Sequence, residues 1–80
     1  MDNAGEKARI QEALSYALTQ VTNLTDRRLC AQEFWHSLNR KGVIPNDEVT
    51  PLIELTIRAS KEYEIQRLVE QQEYRKLTEG

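Results

Sequence analysis

From Leu52 to Glu79 the chain carries neither glycine nor proline. A run of that length, rich in Glu, Arg, Gln, Leu and Ile, admits little except an α-helix, because most of these residues lose little freedom there and nothing breaks it. With Thr50 as N-cap and Pro51 at the first helical position, the helix is predicted over about 50–77, roughly 42 Å long at 1.5 Å per residue. A cap at Asn46 or Asp47, with a bend at Pro51, is the competing start. At about 100° per residue, Leu52, Leu55, Ala59, Tyr63, Tyr74 and Leu77 fall on one side, and Ile53, Ile57, Ile65, Leu68 and Val69 broadly on the other. A surface helix ordinarily has a single apolar stripe. Two stripes call for two covers.

The cover on one side comes from two shorter helices. Ile10, Ala13, Leu14, Ala17, Val21 and Leu24 recur at gaps of three and four, which predicts an amphipathic helix over about 6–24, with a frayed start before it and Leu18 at its flank. A second helix is predicted over about 26–41. Thr25 is its N-cap, Cys30, Phe34 and Leu38 form its inner line, and Gly42 follows its end. Val43 and Ile44 then read as an extended plug before Pro45. The expected architecture is therefore all-α, a single three-helix domain with a long C-terminal helix. Leu14, Val21, Phe34, Leu38, Leu52 and Leu55 are its expected core. Ile65, Leu68, Val69 and Leu77 overhang the shorter helices.

Eighty residues make one domain at most, and a chain this short is marginally stable alone. Cys30 is the only cysteine, so no internal disulfide supplements the core. One cysteine and no secretion signal point to a reducing, cytoplasmic setting, and no apolar run reaches the roughly 18 residues of a membrane span. The net charge of −2, with both signs interspersed, gives no global attraction to nucleic acid or anionic lipid.

The stretch from Ser37 to Glu48 resembles a calcium-binding EF-hand loop in part, with Gly42 at the bend, Ile44 at the eighth place and Glu48 at the twelfth. Its first, third and fifth places are Ser37, Asn39 and Lys41, however, and an ammonium there repels the ion. The stretch reads as a corner between helices, with no metal and no cofactor. The connection is also too long for a helix-turn-helix, and the third helix opens on Leu52, Ile53, Glu54 and Leu55 instead of base-reading side chains. Two basic pairs remain, Arg27 with Arg28 and Arg40 with Lys41, as candidate nucleic-acid contacts. Glu33, His36 and Arg40 share a helix face, an arrangement more typical of a surface ion pair than of acid–base catalysis. Cys30 and His36 point apart on one helix and form no nucleophile–base pair. No catalytic residue is assigned.

Aromatic and apolar side chains at a domain edge are favoured interface anchors. The expected protein interface is Trp35 with Ile57, Ile65, Leu68 and Val69, and the expected function is a non-enzymatic interaction module, a small regulator, inhibitor or adaptor that pairs with itself as a homodimer through the long helix. A dimeric DNA-binding regulator using the basic pairs is the alternative.

Overall fold

A computed structural model describes the backbone of residues 3–79 and the side chains of residues 5–76. The fold is all-α with three helices: α1 (Asn3–Leu18), α2 (Leu24–Arg40) and α3 (Asn46–Glu79). The first half of α3 is the common support. α1 and α2 both pack along it, and they touch each other least. Lys7 meets Glu48 and Thr19 meets Arg67, so α1 runs parallel to α3. Arg27 meets Ser60 and Asn39 meets Asn46, so α2 runs antiparallel. The Cα atoms span 54 × 31 × 15 Å, long and flat because α3 outruns both partners.

All three boundaries differ from the sequence expectation, each for a local reason. α1 begins at Asn3, where a frayed start was expected, and it stops at Leu18 instead of about 24. The amides of Thr19, Gln20 and Val21 bond three residues back, to Tyr16, Ala17 and Leu18, which tightens and ends the helix. Asn23, not Thr25, caps α2: its Oδ1 accepts from the amides of Thr25 at 2.8 Å and Asp26 at 3.3 Å. Val21 and Leu24 continue the apolar spacing of α1, but the better cap between them splits the pattern.

α2 ends in a Schellman turn. The amide of Val43 bonds to the Leu38 carbonyl and that of Gly42 to Asn39, with Gly42 at φ 79°. A Cβ at Gly42 would meet nothing within 4 Å, so the glycine is there for its backbone angle and not for space. Gly42→Ala should therefore cost about 1–2 kcal/mol and Gly42→Asn clearly less, since asparagine tolerates left-handed backbone. Urea unfolding of the two variants checks this, and equal losses would count against it.

α3 starts at Asn46 and takes Pro51 inside its first turns. Pro51 is exposed and lacks an amide hydrogen, so it cannot donate the usual helical bond to the Asp47 carbonyl four residues back. Two hydrogen bonds, an ion pair and a buried side chain hold the turn despite that loss. Asn39 Nδ2 donates to the Ile44 carbonyl at 2.8 Å and to Asn46 Oδ1 at 2.7 Å. Lys7 pairs with Glu48 at 2.6 Å. Val49 is buried.

The core is Leu18, Ala31, Trp35, Ile44, Val49, Ile53 and Ile57. Ile44 is the plug the sequence suggested, whereas Val43 is exposed. The expected centre is displaced. Leu14, Val21, Phe34, Leu38 and Leu52 are partly buried at its rim, and Leu55 is 48% exposed. Cys30, expected inside, is exposed. The cause is polar: Ser15, Thr56 and Ser60 occupy fully buried positions that an apolar periodicity passes over. Each satisfies its hydroxyl on its own helix, Ser15 to Gln11, Thr56 to Leu52 and Ser60 to Ile57 carbonyls, at 2.6–2.7 Å. The inner face of α3 is therefore centred on Val49, Ile53, Thr56 and Ser60, about one residue's turn away from Leu52 and Leu55.

Candidate functional site

The inner face of α3 fixes what its outer face presents. Ile53 and Ile57, expected on the outer stripe, are in the core, and farther along α3, from the edge of the inner face outward, come Leu68, Ile65 and Val69 at 54%, 61% and 47% exposure. Arg67 reaches back from α3 to Thr19 Oγ1 at 3.1 Å and to the Tyr16 ring at 5.8 Å. Every residue from 68 to 76 is exposed, a projection of roughly 13 Å. Lys61 and Glu62 precede the apolar trio, and Glu73, Arg75 and Lys76 follow it. Leu77, expected on the overhang, lies outside the described side chains. Exposed apolar residues elsewhere, such as Leu29 on α2, Val43 in the connection and Leu55 nearer the start of α3, are scattered along the chain and call for no cover by themselves.

Two of the five expected interface residues turn inward. Trp35 is wholly buried: its Nε1–H donates to Thr56 Oγ1 at 3.0 Å and its ring meets Phe34 edge-on. Ile57 is 5% exposed and belongs to the core. Both are spent inside the chain, so the surface reduces to Ile65, Leu68 and Val69. The expectation for Ile57 fails because it lies at the edge of α3's inner face and is packed into the core.

The basic pairs do not form one surface. Arg27 is 0% exposed. Its Nε and Nη2 donate to the Val21 carbonyl at 3.1 and 2.6 Å, and its Nη1 donates to Ser60 Oγ at 3.3 Å and pairs with Glu64 at 3.0 Å. That turn of chain is thereby pinned to α3. A signal for this was present: Arg27 heads the line Arg27, Ala31, Phe34, Leu38, at the i, i+4, i+7 and i+11 positions of an inner stripe. Arg28 pairs with Glu54 at 2.7 Å. Arg40 and Lys41 are exposed at the opposite end of α2, about 20 Å away.

Arg28 holds the Glu54 carboxyl below its ordinary range, first through the hydrogen bond and then through its charge. Since the folded state lowers this value, the pair's contribution is present at neutral pH and disappears as pH falls through the acid range. Both groups are exposed, so the effect is small. Melting temperatures of Glu54→Gln and the wild type should differ slightly at neutral pH and converge in acid. A gap that widens in acid would contradict the assignment.

His36, Glu33 and Arg40 are all exposed. Among the described residues no three His, Cys, Asp or Glu side chains come together in a way that could hold a metal ion. Residues 37–48 form the end of α2, its cap and the start of α3, with the Asn39 amide engaged by Ile44 and Asn46. Among the described residues no helix is long and apolar enough to cross a membrane. No family model, curated protein or solved structure matches the chain.

Proposed function

We propose that this protein is a non-enzymatic, cytoplasmic interaction module whose working surface is the outer face of distal α3, and that a second copy of the chain covers that face. The observation that carries the reading is the exposure of Ile65, Leu68 and Val69 together on the distal part of a helix whose proximal part supplies Val49, Ile53 and Ile57 to the core. Soluble chains tend not to leave such clusters in water. Burying them stabilises a complex by roughly 25 cal/mol per Å² of apolar surface removed.

A homodimer suits the charges flanking this face in one respect and is limited by them in another. In an antiparallel pair, like flanks meet. Glu62 and Lys76 lie on one flank and would meet across the interface. Lys61 and Arg75 lie on the other and would bring like charges together. The pairing is therefore expected to be moderate and to tolerate salt, since screening weakens both terms while the apolar contact remains. Regulators, inhibitors and adaptors act by presenting surfaces of this kind.

Sedimentation equilibrium at tens of micromolar tests the reading. The wild type should weigh twice the chain mass. Leu68→Glu should sediment as a monomer with its helical circular dichroism unchanged, because Leu68 is half-exposed and outside the core. A wild type that remains monomeric overturns the self-association. A Leu68→Glu variant that stays dimeric places the contact elsewhere.

A further inference from the structure

We draw no further inference here: the strongest candidate, the Tyr16–Tyr63–Arg67 cluster beside two shallow hollows between α1 and α3, carries nothing because Arg67 is already engaged by Thr19 and the Tyr16 ring and nothing in the structure shows what covers the exposed Tyr16 ring.

Discussion

Trp35→Ala is expected to cost about 3–5 kcal/mol, the usual range for removing a large aromatic from a core. A domain of this length has a total stability of about 4–12 kcal/mol at typical values per residue. The variant should therefore be partly or wholly unfolded without denaturant. Three features set the size of the effect. The ring is fully buried, it packs edge-on against Phe34 at 5.1 Å, and its Nε1–H is the partner that Thr56 Oγ1 accepts from across the α2–α3 contact. Trp35→Phe separates these terms. It keeps most of the apolar contact and removes the hydrogen bond, and Thr56 still donates to the Leu52 carbonyl. Its loss should be about 1–2 kcal/mol. Phe34→Ala should cost less than Trp35→Ala, because Phe34 lies at the rim. Urea unfolding followed by circular dichroism measures all three. If Phe34→Ala proves as damaging as Trp35→Ala, the core has been centred on the wrong aromatic.

The second large effect is expected at Arg27. Arg27→Ala removes a buried side chain, leaves the Val21 carbonyl without its two donors, and cuts the link from α2 to Ser60 and Glu64. An unsatisfied buried group costs about 1–3 kcal/mol and the cavity adds to it, so a total of about 3–5 kcal/mol is expected. Arg27→Met fills most of the volume without a buried charge and should recover part of that loss, since apolar replacements of buried ion pairs are often tolerated. Glu64→Gln should be milder than either Arg27 variant. The Glu64 side chain is 42% exposed, water can replace one of its bonds, and an amide oxygen still accepts from the guanidinium. The order Arg27→Ala, Arg27→Met, Glu64→Gln in decreasing cost is the readout. A Glu64→Gln loss equal to that of Arg27→Ala would mean that the ion pair, and not the bonds to Val21, holds this corner.

The all-α class and the count of three helices follow from the sequence, because helix periodicity and the absence of breakers after Pro51 are local properties. The reach of α3 beyond its partners is equally local, since it depends on length alone. The grouping of Ile65, Leu68 and Val69 is local too, whereas their exposure depends on where α1 and α2 pack. The turn at Gly42 also follows from the residue, given its positive φ.

Tertiary structure decided which stripe points inward. An apolar pattern gives equal weight to Leu55 and Ile57, yet Leu55 is half-exposed and Ile57 is buried. The choice depends on where α1 and α2 can approach closely. Close approach is served by Thr56 and Ser60, polar residues that bury because their hydroxyls return to their own backbone. Arg27 is the same lesson with a charge. Its residue type belongs on the surface, and it is inside because Val21, Ser60 and Glu64, from two other parts of the chain, together replace the water it lost. No one of those partners announces the site, and only folding brings them within bonding distance.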